Sequence, residues 1–241
     1  MNFLNMMLRL PFPQKLQDKR ALTLLVVSLL CALPLKAQHL IGVRSGYAIS
    51  GTHFKFSNDE LNIGTPINFS LLYTYYHGMW GRNHCFGLQT GINYAEQGFI
   101  ATYPKYPDYT ETTRYRVIEV PFVSQFHIDF WKMRLLINMG GFAGYRLSAT
   151  EEFPQDINDP FGTIINRKYI FDCYDKRIDY GFIGGGGLAF KMAPMELQLE
   201  CNYQYSLSML YNPKKMSNLY YLYTYPHQLV FSLALFFQLS K

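Results

Sequence analysis

A few residue groups in this 241-residue chain have the types that carry chemistry. Gly184, Gly185, Gly186 and Gly187 have the composition of a loop that cradles phosphate with backbone N–H groups. Such a loop continues into Lys and Ser or Thr and then a helix. Here Leu188, Ala189 and Phe190 follow, so the run reads as close packing within a strand. Glu151, Glu152, Asp156 and Asp159 form an acidic stretch of the sort that offers oxygen ligands to calcium; a solvated external loop is the plainer reading. The six histidines are scattered. His127 falls on a polar strand face near a turn and His227 at a loop exit, where ordinary polar or interfacial roles suffice. No GxSxG, HExxH or CxxC occurs, and no nucleophile and base can be paired on one patch. The sequence therefore predicts no enzyme, no metal and no cofactor.

The chemistry that remains is electrostatic and aromatic. Arg44, Arg134, Arg146 and Arg177 match Glu119, Asp179, Glu196 and Glu200 in number on the polar faces of strand-like segments. Tyr103, Tyr106 and Tyr109 in YPKYPDY, with Tyr220, Tyr221 and Tyr223 in LYYLYTYP, form a candidate loop surface for a ligand. Tyr73, Tyr75 and Tyr76 sit where a strand ends, as an aromatic girdle at a membrane interface would.

The elements that must position these residues are strands. Period-2 alternation dominates after residue 40. Met195, Leu197, Leu199, Cys201, Tyr203, Tyr205 and Leu207 share one face, opposite Glu196, Gln198, Glu200, Asn202, Gln204 and Ser206. Residues 228–239 and 133–147 repeat the pattern, and 40–50, 66–76, 84–95, 114–128 and 178–191 fit it, giving eight strands. The 114–128 strand is interrupted by Pro121, which donates nothing to a ladder and predicts a local pairing defect. Long connections (51–64, 96–112, 148–177, 209–225) alternate with short ones (77–83, 129–132, 192–194). Up-and-down barrels of the outer membrane have that rhythm, with tight periplasmic turns and long external loops.

Alternation does not say which face points outward; a soluble calyx has the same period. The polar faces decide. They are mostly Gly, Ser, Asn and Gln, with Lys191 alone at a strand end, whereas a water-facing β-surface carries many Lys and Glu. The apolar faces are nearly free of charge along their centres, and an Arg or Lys at mid-bilayer costs roughly 2–4 kcal/mol. The expected arrangement puts apolar side chains toward lipid and matched charges into a narrow bore, each beside a partner.

Residues 1–37 read as a cleaved signal peptide. A 15-residue apolar run, 21–35, follows a basic stretch and ends near the small residue Ala37. It is shorter than a spanning helix of about 20 residues. Five of the 22 basic residues and one of the 17 acidic ones lie in this segment, so the remainder carries a net charge of only +1. That leaves no basic stripe for nucleic acid. Hydrophobic residues make up 49% and aromatics 17% of the chain, which excludes a chiefly disordered protein. Cys85, Cys173 and Cys201 have neither zinc spacing nor a disulfide framework; Cys85 and Cys201 read as small apolar strand residues.

IGVRSGYAIS, GLQTGINYAEQGF, YRVIEVPFVSQFHI, RLLINMGGFAGYRLSA, DYGFIGGGGLAF, MELQLECNYQYSL and YPHQLVFSLALFFQLSK, taken together, resemble the PorT-like outer-membrane β-barrel family of Bacteroidetes. The likeness covers most of residues 38–241. Glu119 and Pro121 match that family's Glu-x-Pro strand. The terminal Phe237-Gln238-Leu239-Ser240-Lys241 departs from an aromatic end. The resemblance implies an outer-membrane barrel, and for some members an accessory role in type IX secretion.

The sequence thus predicts an all-β protein: an eight-stranded antiparallel up-and-down transmembrane β-barrel after a cleaved signal peptide, with domain bounds 1–37 and 38–241. The expected location is the outer membrane, with lipid and other envelope or secretion-system proteins as partners. An eight-strand bore is filled by side chains, so no open pore is expected. Secretion accessory and soluble lipocalin-like binding barrel are the alternative functions.

Overall fold

The structure is a computed structural model that describes residues 38–54, 60–79, 83–103, 106–156, 159–212 and 224–240. The segment 1–37, read above as a signal peptide, lies outside the described residues. Among the described residues, eleven strands form one antiparallel sheet: β1 (Gln38–Phe54), β2 (Glu60–Leu61), β3 (Ile63–Thr65), β4 (Asn68–Met79), β5 (Asn83–Tyr103), β6 (Tyr106–Phe130), β7 (Met133–Asp156), β8 (Asp159–Tyr169), β9 (Ile178–Met192), β10 (Met195–Ser206) and β11 (Thr224–Ser240).

Eight of these close into a ring in the order β1, β4, β5, β6, β7, β9, β10, β11. The seam is made by β11 and β1, paired from His39 with Ser240 to Phe54 with Thr224. Every ring neighbour is the next ring strand along the chain, as an up-and-down barrel requires. The three short strands are additions at the end bearing the long connections: β2 on β5, β3 on β1, and β8 on β7.

The register fixes the barrel's stagger. Leu40 pairs Thr74, and the ladder runs on through Gln89, Val123, Gly140, Ile183, Gln204 and Gln228 to Ser50, a return to β1 displaced by ten residues. For eight strands this shear corresponds to a strand tilt of ~40°. Strands that cross the hydrocarbon at that tilt need only ~9–11 residues. β5, β6 and β7 have 21, 25 and 24, so they continue well past the membrane.

Side-chain sidedness follows the period of two. On β10, Glu196, Gln198, Glu200, Asn202, Gln204 and Ser206 are all buried, while Leu199, Cys201 and Tyr203 are exposed. The same split runs round the ring. Ile137, Phe122, Phe182, Leu188, Phe231 and Leu71 face outward, and the buried set is rich in Asn, Gln, Ser, Thr, Arg and Glu. A soluble calyx would invert this pattern, so the lipocalin-like alternative is overturned. His39, Tyr73 and Tyr75 cluster on the outer wall near the short-turn end, with His39 and Tyr73 hydrogen-bonded at 2.6 Å.

Two expectations change. Residues 96–112 and 148–177 were expected as loops. Instead β5, β6 and β7 extend through much of them, and β8 adds a further strand. Above the bilayer the outward face meets water, so the outward apolar period ends while backbone pairing persists. Tyr76 was expected in the girdle, but it points inward and is fully buried. At Pro121 the expected defect is one-sided. The β5–β6 ladder lapses between the Thr90–Phe122 and Asn93–Glu119 pairs, whereas Pro121 stays in register with Phe142 of β7.

Candidate functional site

The bore is filled by a continuous polar network. Near the short turns, Arg134 of β7 lies 2.7 Å from Asp129 of β6 and 3.1 Å from Glu196 of β10. Its guanidinium stacks 4.3 Å from the centre of the Tyr76 ring. The Tyr76 hydroxyl donates to Gln125 at 3.1 Å and accepts from Gln198 at 3.1 Å. Lys191, the one lysine expected on a polar face, reaches Asp129 at 2.9 Å. His127 is buried with its ring edge-on to Tyr76, centroids 4.8 Å apart.

At mid-height the acceptor is Glu200, which takes hydrogen bonds from Arg44 (3.5 Å), Gln125 (3.3 Å) and Asn202 (2.9 Å). Arg44 also donates to Ser70, Ser70 donates to Asn93, and Asn93 donates to Glu119 at 2.9 Å. Gln97 donates to the second Glu119 oxygen at 2.9 Å. Higher still, Arg146 sits 3.1 Å from Asp179, which also accepts from Ser208 at 2.6 Å.

All seven charged residues singled out in the sequence for the bore (Arg44, Glu119, Arg134, Arg146, Asp179, Glu196, Glu200) are therefore inside and buried. Six form ion pairs with one another: Arg44 with Glu200, Arg134 with Glu196, and Arg146 with Asp179. Glu119 is held by two side-chain amides instead. Arg177 was expected on the polar face but is exposed on the outer wall. It stacks 4.4 Å from the Phe171 ring and donates to the Tyr145 hydroxyl at 3.3 Å. It lies one residue before β9, where strand parity no longer governs its direction.

An apolar cluster lies above the charged layers on the outer side. Ala95, Phe99, Tyr115, Val117 and Ala149 line the bore above the charged layers, and Leu210 packs onto them from a connection. Tyr169 and Phe171 pack against the cluster. The sequence carried a signal for it: Tyr115, Val117 and Ala149 keep the inward period after the outward face has turned polar. A void at mid-bore measures about 10 Å³, between Arg44, Gln89, Pro121, Val123 and Asn138. That is room for about one water molecule.

Of the loop tyrosines, Tyr109 is half-buried on β6. The side chains of Tyr103 and Tyr106, and the whole of Tyr220, Tyr221 and Tyr223, lie outside the described residues. Among the described residues no group of His, Cys, Asp and Glu side chains converges to hold a metal ion. Cys173 and Cys201 are both exposed. The bore's carboxylates accept from guanidinium and amide groups both on adjacent strands and across the bore.

A closed eight-stranded ring, apolar outside and ion-paired inside, defines an integral β-barrel of the outer membrane. The chain belongs to the outer membrane protein beta-barrel domain family, whose model matches residues 33–212. It is similar to the attachment invasion locus protein Ail of Yersinia pestis, solved with the heparin analogue sucrose octasulfate (17% identity, 84% of this chain and 100% of that one, TM-score 0.40). It is similar to Neisserial surface protein A (7% identity, 82% and 96% coverage, TM-score 0.42). A third similar structure is the N-terminal β-barrel domain of OprF from Pseudomonas aeruginosa (7% identity, 84% and 99% coverage, TM-score 0.36). No curated protein matches the chain.

Proposed function

We propose that this protein is a non-enzymatic surface barrel that works through its outward strands and loops, as a binding element or envelope scaffold. The observation that carries the reading is the filled bore. Ion pairs at three levels and an apolar cluster above them occupy the bore, and the mid-bore void lined by Arg44, Gln89 and Asn138 is about 10 Å³. The long β5, β6, β7 and β8 segments then offer the surface on which partners can act. Residues 1–37 serve as its export signal. The motifs shared with PorT-like barrels support that lineage within the wider family.

Planar-bilayer recordings of the refolded barrel test the closed bore; the expected trace has no steady openings. Sustained nanosiemens-scale conductance would assign a pore function instead. Deletion of the gene is expected to leave cargo export working. Blocked export across an intact membrane would assign the accessory role in type IX secretion.

A further inference from the structure

The outer wall carries its basic residues in one sector. Ile118 of β6 pairs Tyr145 of β7, and Tyr145 pairs Ile178 of β9, forming an exposed rung near the outer limit of the apolar belt. Just beyond it stand Arg116 and Arg177, both exposed. One rung further out, Arg114 pairs Thr150, which pairs Lys168 of β8. Ser148 sits opposite Arg116. Paired residues share a sheet face, so Ser148 and Thr150 form a hydroxyl floor with cations on both sides. No Arg or Lys among the described residues faces outward on β10, β11, β1 or β4; there the outer rim carries Tyr47, Tyr203, Tyr205, Tyr225 and His227.

We infer that this sector of β6, β7, β8 and the start of β9 seats the phosphate of an outer-leaflet lipid headgroup. The height is right, because the cations begin where the apolar rungs stop. The chemistry is right, because guanidinium groups grip phosphate through paired N–H donors, and Ser and Thr hydroxyls add short donors beneath. Arg177 is held in place by Phe171 and Tyr145. Of the carboxylates on this face among the described residues, Glu96 lies opposite Arg116 and is engaged by Arg114 at 3.5 Å, and Glu152 stands one rung beyond Thr150. Arg116, Arg177 and Lys168 therefore leave the sector with a positive excess. A lipid phosphate is favoured over a soluble one because the cations stand directly above exposed Ile118 and Leu147, which meet the acyl chains of the same molecule.

The test places the barrel in phosphatidylcholine nanodiscs doped with bisphosphorylated lipid A or with the same lipid stripped of both phosphates. Native mass spectrometry then counts the lipid retained. The expected result is about tenfold higher retention of the phosphorylated form, as a pair of charge-assisted hydrogen bonds would give. Arg116→Gln with Arg177→Gln should remove that preference, while Lys132→Gln in a turn at the opposite end should not. Heat-modifiable gel mobility reports folding. Lys168→Gln, a single exposed change expected to lower the preference severalfold, serves if the double variant does not fold. Equal retention of both lipids, an unchanged preference in the folded variants, or displacement by millimolar inorganic phosphate would each overturn the assignment.

Discussion

The Arg134 guanidinium is stacked on the Tyr76 ring at 4.3 Å while its edge engages Glu196 at 3.1 Å, so one side chain ties β4, β7 and β10 together across the bore. Both Arg134 and Glu196 are buried. Removing one partner of such a pair leaves the other charge buried without compensation, at a cost of about 3–5 kcal/mol. Arg134→Ala is expected to lower barrel stability by that amount. Arg134→Ala combined with Glu196→Gln should recover a large part of it. Urea unfolding in lipid vesicles, followed by gel mobility, measures both. Equal losses in the single and double variants would show that the ion pair is not what Arg134 supplies.

The outward direction of the apolar faces makes a second expectation quantitative. Ile137 is 52% exposed on the β7 wall at the height of the belt, and Ile164 is 66% exposed on β8 outside it. Ile137→Arg should cost about 2–4 kcal/mol, the price of a cation at the bilayer midplane. Ile164→Arg should stay within about 0.5 kcal/mol. Both variants go through the same unfolding assay in lipid. Similar small effects at the two sites would contradict the membrane orientation.

Gly144 gives the Glu119 side chain its room. A Cβ at Gly144 would stand 2.9 Å from Glu119 Cγ, and Glu119, Gly144 and Asp179 are consecutive partners in the ladder. A larger residue there forces Glu119 off the two amides that hold it. Gly144→Val is expected to destabilise by about 1–3 kcal/mol. Glu119→Ala in the same chain should lessen the penalty, because the opposing side chain is gone. Purely additive losses would place the damage elsewhere.

Outside the membrane, Tyr169 donates to the Asp175 carboxylate at 3.0 Å. Burial, followed by the charge of Asp175, holds its phenol well above the ordinary tyrosine range. A raised folded-state value means that the folded form keeps a proton the unfolded chain loses, so this contribution is complete below pH ~10 and fades as pH rises above that. The junction of β8 with residues 170–177 should therefore loosen in strong alkali. Limited proteolysis at increasing pH detects this as new cleavage near Tyr169. Tyr169→Phe is expected to be cut more readily at neutral pH and to lose the alkaline step. A step that persists in Tyr169→Phe would belong to another group.

The sequence revealed most where two environments meet at one strand. On β10 lipid lies on one side and a polar bore on the other, so Leu199 and Glu200 declare their faces by type alone. The same logic located the seven charged residues. It failed where the environments become alike. Thr110, Glu111 and Thr112 of β6 are all half-buried, and nothing in their order distinguishes strand from loop. Tyr76 was misplaced because Tyr73, Tyr75 and Tyr76 present the same residue type on both faces. Only register and the inward partners Gln125 and Gln198 separate it from the girdle.

The length of β6 has a consequence for the cell surface. Residues 106–117 run ~40 Å along the strand at ~3.3 Å per residue, past the last rung in hydrocarbon; pairing with β5 reaches Tyr106 and pairing with β7 reaches Thr112. The outward reach of this paired segment carries its far end well clear of the apolar belt. Among the described residues the ladder with β7 stops at Thr112, so sequence change further out can proceed without disturbing the ring below.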